Sequence, residues 1–184
     1  MEKYLTLVNA AHPLEDEDRR KLEEHLMPAD EIFPEILMEE TAARALRALL
    51  RELGAEGQIV PVSGYRTMEE QTQIYEDSLR ENGGEFTKKF VALPGCSEHQ
   101  TGLAIDLGLC KEEIDFICPD FPYEGICQEF RQMAPDYGFV ERYPAGKEKV
   151  TGIGHEPWHF RYVGRPHARI MTDRGLVLEE YLGK

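Results

Sequence analysis

Residues 151–164 read T-G-I-G-H-E-P-W-H-F-R-Y-V-G and contain the string H-E-x-x-H. On a helix that string sets His155 and His159 one turn apart on one face, ready to hold zinc, with Glu156 beside them as a base. Pro157 occupies the first x. A proline inside a helix removes a hydrogen bond and clashes with the preceding turn, at about 3 kcal/mol. It also biases Glu156 toward extended backbone. Trp158, Phe160, Tyr162 and Val163 are strand formers, and Gly152 and Gly154 are poor helix material. The stretch therefore reads as a loop, then Glu156, then a strand over 158–163. His155 and His159 lose their helical adjacency and need not bind one ion together. A strict strand also puts Glu156 and His159 on opposite faces, so a bend at Pro157 is required if both are to face one site.

A second segment supplies partners. Residues 95–109, G-C-S-E-H-Q-T-G-L-A-I-D-L-G-L, open small and polar and close with strand alternation. Leu103, Ile105 and Leu107 share one face, and Asp106 lies on the other. Gly102 lets the preceding loop turn back, so that His99 approaches Asp106. A metal site and a plain Asp–His hydrogen bond are both compatible with this segment alone. If His99, Asp106 and His159 do ligate one ion, two imidazoles and a carboxylate with a fourth position for water form a catalytic zinc pattern. Glu156 can then take a proton from that water.

Upstream, 58–66 (Q-I-V-P-V-S-G-Y-R) reads as a short strand ending in a turn, and Thr67 with Glu70 forms a capping box for a helix running to Gly83-Gly84. Arg66 thus sits in a strand-to-helix turn. It suits a developing oxyanion, and equally a surface ion pair with Glu69 or Glu70. Residues 35–53 predict an amphipathic helix closed by Gly54, with Ile36, Leu46, Leu49, Leu50 and Leu53 inward. A charged helix is predicted over 15–26, a helix over 123–137, and one or two short outer helices at the end.

The 184 residues, 41% hydrophobic and 30% charged, describe one globular domain over 1–184. A net charge of −14 disfavours nucleic-acid and anionic-membrane partners. No run of about eighteen apolar residues is present. The start lacks the basic and long apolar regions of a signal peptide. Four cysteines without ligand-type spacing read as free thiols, and a cytoplasmic location follows as the expectation. Cys96, beside Ser97, also reads as a free thiol in preference to the minor alternative of a fourth soft ligand.

These motifs resemble those of the D-alanyl-D-alanine-cleaving zinc peptidases that share a fold with the hedgehog signalling domain. That pattern is S-x-H-x-x-G-x-A-x-D followed by E-x-W-H. It stands here at Ser97, His99, Gly102, Ala104 and Asp106, then Glu156, Trp158 and His159, and S-G-Y-R at 63–66 matches the arginine-bearing turn. The resemblance spans roughly residues 5–182, and coverage and start point further to VanXY-type D,D-dipeptidase/D,D-carboxypeptidases of vancomycin resistance. It implies an α+β fold: a small antiparallel sheet bearing one Zn²⁺, flanked by helices. It implies His99, Asp106 and His159 as ligands, Glu156 as general base, and Arg66 on the scissile carbonyl. Ser97 and Gln71 would hold the substrate's terminal carboxylate, Trp158 would wall the pocket, and His155 would touch substrate or cap its loop. The substrate would be a small peptide ending in D-Ala-D-Ala. The alternatives are a strict D,D-dipeptidase, a peptidoglycan endopeptidase of the same fold, or a zinc-stabilised binding module. The run 108–120 would roof the pocket and decide whether long peptides enter.

Overall fold

A computed structural model describes residues 2–184, with side chains from Tyr4 onward. The chain begins with a 3-10 turn at Glu2–Leu5 and a charged helix α1 (Asp16–Glu23) that buries nothing. Leu26, expected in that helix, instead starts strand β1 (Leu26–Pro28), which pairs antiparallel with β2 (Leu37–Glu39). The helix expected from residue 35 accordingly starts later, as α2 (Glu40–Leu53). The backbone of 37–39 is committed elsewhere. Leu37 O accepts from Tyr65 N at 2.6 Å, and Glu39 N donates to Gly102 O at 2.8 Å. The buried Glu39 carboxylate then caps α2 by accepting from the amides of Thr41 and Ala42. At the other end Gly54 takes φ 67°, as a glycine beyond a helix does. Leu46, Leu49 and Leu50 form the inward stripe of α2, each essentially without exposure. Burying each stabilises the fold by roughly 1.5–3 kcal/mol.

The main sheet is antiparallel, in the order β3-β4-β6-β5. Strand β3 (Ile59–Ser63) leads through the turn at Gly64 into α3 (Met68–Asn82), whose capping box of Thr67 and Glu70 is present as expected. A further helix, α4 (Gly84–Phe90), follows the glycine pair. Then come β4 (Ala104–Leu109), α5 (Gly125–Met133), β5 (Phe139–Tyr143), α6 (Glu148–Thr151) and β6 (Glu156–Tyr162). Residues 134–137, expected as the end of α5, tighten into a 3-10 turn. Helices α7 (Arg165–Arg174) and α8 (Leu178–Leu182) close the chain and pack with Val140 and Val163 in a small second core.

The larger core joins α2 and α5 to one sheet face through Leu103, Ile105, Leu107, Phe130 and Phe160. Phe121, Phe130 and Phe160 meet edge to face there, with centroids 5.0 to 5.7 Å apart. The opposite face of the sheet is left for polar side chains. Among the described residues, no helix is long and apolar enough to cross a membrane.

Gly64 is the tightest point of this frame. A Cβ there would lie 2.2 Å from the Leu37 carbonyl oxygen, which already accepts from Tyr65. Backbone, not a flexible side chain, stands in the way. Gly64→Ala is expected to lower the unfolding free energy by about 3 kcal/mol or more, read by urea denaturation. A loss below about 1 kcal/mol would show that the turn can shift freely.

Candidate metal centre and active site

Two irregularities in the sheet assemble the site. Between Pro61↔Leu107 and Ser63↔Asp106, β3 advances two residues while β4 advances one. This bulge sets Ser63 beside Asp106 and swings the Gly64–Arg66 turn over the end of β4. Between Glu141↔Phe160 and Tyr143↔Glu156, β5 advances two residues while β6 advances four. The extra length is the bend that Pro157 demands. Arg131 holds it by donating to Pro157 O at 2.8 Å and to Phe121 O at 2.7 Å. Strict alternation is broken, and Glu156 Oε2 comes 3.5 Å from His159 Nδ1. The strand begins at Glu156 itself, two residues before the expected start.

Asp106 and His159 are direct cross-strand partners, so they share a face. His99 arrives from a 3-10 turn (Glu98–Thr101) that ends at Gly102 with φ 68°. The backbone turns back there, as the sequence led us to expect. One ligand atom from each of His99, Asp106 and His159 lies within 4.8 Å of the others, and all three residues are buried. His99 Nε2 is 3.1 Å from Asp106 Oδ2, and His159 Nδ1 is 3.0 Å from Asp106 Oδ1. His99 Nδ1 pairs with Gly64 O at 2.7 Å, which puts the ring hydrogen there and leaves Nε2 as a lone pair. Despite its nearness to His159, Asp106 Oδ1 is buried without a well-directed hydrogen bond.

The electrostatics suit a cation. Burial pushes His99 down to about 4, and Arg66 adds to the effect, so the imidazole is neutral. Burial opposes ionisation of Asp106, yet both histidines outweigh it and hold the carboxyl well below the usual range. His159 moves the other way. Burial lowers it, but the adjacent carboxylates of Asp106 and Glu98 raise it to about 9. Carboxylates that favour a proton on that ring favour a metal cation in the same place. Two imidazoles and one carboxylate facing one cavity are a donor set that zinc accepts, so these residues fit the ion.

The cavity is narrow, about 40 Å³. Ser97, Arg66, Tyr143, Glu156 and Trp158 line it beside the three ligand candidates. Phe116 and Ile117, from the stretch between β4 and α5, also line it. Burial raises the Glu156 carboxyl to about 8, with Asp106 adding and His159 and Arg66 opposing. Arg66 is not a surface partner of Glu69 or Glu70. Its Nε donates to Ser63 Oγ at 2.8 Å, one terminal nitrogen to Gln71 Oε1 at 3.3 Å, and the other to Asp106 Oδ2 at 3.1 Å.

Other expected residues fall elsewhere. Gln71 is fully buried and does not line the cavity. It holds Arg66 with one end and donates to Ala92 O with the other. His155 stacks on Tyr123 and pairs with its hydroxyl at 2.7 Å, outside the cavity lining. Cys96 does not join the metal-ligand cluster; it lines a neighbouring cavity. All four cysteines are free. Sequence reasoning missed Tyr143, whose ring centroid is 4.8 Å from that of His159, and gave no role to Glu98. A charged residue wedged between Ser97 and His99 was the available signal for Glu98. Tyr143 carried none, because only the shifted pairing of β5 with β6 brings it to the site.

Residues 35–165 match the family model of VanY, described as D-alanyl-D-alanine carboxypeptidase. The chain is 47% identical over 178 residues to the bifunctional D-Ala-D-Ala dipeptidase and D-Ala-D-Ala carboxypeptidase VanXYC of Enterococcus gallinarum, covering 96% of this chain and 92% of that one. It superposes with a TM-score of 0.94 on the vancomycin-resistance D,D-dipeptidase VanXYg bound to a D-Ala-D-Ala phosphinate analogue, at 58% identity over 98% of this chain and 70% of that chain. It also matches the D,D-pentapeptidase VanY of a VanB-type resistance cassette in complex with Zn(II), with a TM-score of 0.75 and 28% identity over 98% and 99% of the two chains.

Proposed function

The chain belongs to the VanY family of D-alanyl-D-alanine carboxypeptidases, and from that premise we propose that it is a zinc peptidase acting on D-Ala-D-Ala and on longer peptides with that ending. The single observation that carries the reading is the convergence of His99, Asp106 and His159 within 4.8 Å, on a cavity that also holds Glu156 and Arg66. A binding module needs neither a base nor an oxyanion partner there. Removing the terminal D-Ala, or splitting the dipeptide, would deplete the ending that vancomycin binds.

One Zn²⁺ would be held by His99 Nε2, Asp106 and His159 Nδ1, and it supplies Lewis acidity that brings the pKa of water to about 7. Glu156 takes the proton of the attacking water and returns it to the departing amine nitrogen. Arg66 holds the carbonyl oxygen as negative charge gathers on it. Ser97 meets the terminal carboxylate of the substrate. Gln71 serves that step by fixing the Arg66 fork. Trp158, with Phe116 and Ile117, walls the reacting atoms from bulk water. The acidic composition and four unpaired thiols support a cytoplasmic location, where peptide precursors of the cell wall are made.

A strict D,D-dipeptidase is the second reading, with Phe116 and Ile117 on the cavity wall as the residues that would limit the length of peptide admitted. Hydrolysis of D-Ala-D-Ala and of a pentapeptide ending in it, measured with and without a chelator, decides between the two. Release of D-Ala from both substrates, abolished by the chelator and restored by zinc, is the expected result. Turnover of the dipeptide alone selects the second reading. Zinc binding without turnover of either sinks both and leaves a binding module.

A further inference from the structure

His159 is gripped from two sides. Its Nδ1 faces the cavity, and its Nε2 points back into the protein toward Glu98 Oε2 at 3.6 Å. These two buried atoms lie just beyond hydrogen-bond distance of each other, and neither has any hydrogen-bond partner. The other oxygen of Glu98 is heavily used. Oε1 accepts from Arg142 Nε at 2.7 Å and lies 2.9 Å from a terminal nitrogen of Arg161. If Glu98 served only to neutralise arginines, its two oxygens could share them. Both arginines instead crowd onto Oε1 and leave Oε2 for the imidazole.

The arginines are themselves fixed. Arg142 forks onto Glu179 of α8 at 2.7 and 2.9 Å, and Arg161 donates to Thr6 O at 2.8 Å. Asn9 adds a bond to Glu179 at 3.2 Å. Glu98, Arg142, Arg161 and Glu179 are all buried, two of each sign. A buried charge whose partners are removed is strongly unfavourable, so this group acts as one rigid unit. It ties the chain's two ends to the residue beside the candidate ligand His99.

We propose that Glu98 is a positioning residue for His159: its Oε2 holds the ring hydrogen on Nε2, so that the Nδ1 lone pair is presented to the metal. This is the counterpart of the Gly64 carbonyl behind His99, with a carboxylate in place of a backbone oxygen. The inference rests on the zinc reading above. Partners that orient a ligating histidine are typically worth about 10–100-fold in metal affinity.

Glu98→Gln protein, compared with wild type by competition against a chromophoric chelator, is expected to bind zinc about 10–100-fold more weakly while keeping its circular dichroism. Long-range proton–nitrogen correlation on zinc-loaded wild-type protein is expected to show His159 carrying hydrogen on Nε2, protected from exchange. In Glu98→Gln that proton should exchange faster. Glu98→Asp keeps a charge for the arginines but withdraws it from His159; it should also weaken zinc binding and covers the case in which the glutamine variant does not fold. Zinc affinity within twofold of wild type in a folded variant overturns the proposal, as does His159 found with its hydrogen on Nδ1 in the wild-type spectrum. Wild-type protein that takes up no zinc at all overturns the metal reading instead, so the two failures are distinguishable.

Discussion

Glu156→Ala protein is expected to bind zinc as the wild type does and to lose roughly 10²–10⁴-fold in kcat toward D-Ala-D-Ala, the span typical of a positioned general base. The carboxylate stands 3.5 Å from His159 Nδ1, close enough to serve a water at the metal but outside the three-residue ligand cluster. Its environment suits the task. Burial lifts the carboxyl to about 8, and a dication bound at the proposed site would draw it back toward pH 7, where a group can both accept and return a proton. Zinc content measured beside turnover separates the possible outcomes. Loss of zinc together with activity would make Glu156 a ligand. Turnover within a few-fold of wild type would remove it from the proton pathway altogether. Glu156→Gln, which keeps the shape and loses the base, should fall as far as the alanine variant.

Much of this site was readable before any coordinates, because local rules govern most of its parts. The alternation through Leu103, Ile105 and Leu107 placed Asp106 on the polar face, and the capping box at Thr67 placed Arg66 in a turn. Pro157 excluded a helix and required a bend. What sequence rules could not supply was anything set by pairing across the sheet. The bend at Pro157 depends on Arg131, donated from α5, and on a register shift against β5. The strand at 37–39 was read as helix because its composition fits one; its backbone partners, β1 and the turns at Tyr65 and Gly102, lie far along the chain. Gln71 was expected on the substrate, but its helix faces it inward onto Arg66. Tyr143 joined the site through burial, which no local pattern announces, and the charge between Ser97 and His99 marked Glu98 without showing which partners would bury it.

Arg66→Lys is the substitution in which geometry, not charge, should decide the outcome. It is expected to lower kcat by roughly 10²–10³-fold, the loss seen when one oxyanion donor is removed, with KM changed much less. Arginine is fixed here by three separate bonds: Ser63 takes Nε, Gln71 one terminal nitrogen, and Asp106 the other. The Phe116 ring lies 5.5 Å from the guanidinium carbon. Burial pulls the Arg66 pKa down, with Asp106 opposing, but guanidinium starts so high that it stays charged. A lysine ammonium keeps the positive charge near Asp106, so zinc binding should survive. It cannot span Ser63, Gln71 and Asp106 from one planar fork, so its position relative to a carbonyl is no longer set. Gln71→Ala, which frees one arm of the fork, should fall between wild type and Arg66→Lys. A lysine variant with unchanged kcat would make Arg66 a clamp for Asp106 alone, and the stabilisation of the oxyanion would then have to come from another group on the cavity wall, of which the Tyr143 phenol is the nearest in kind.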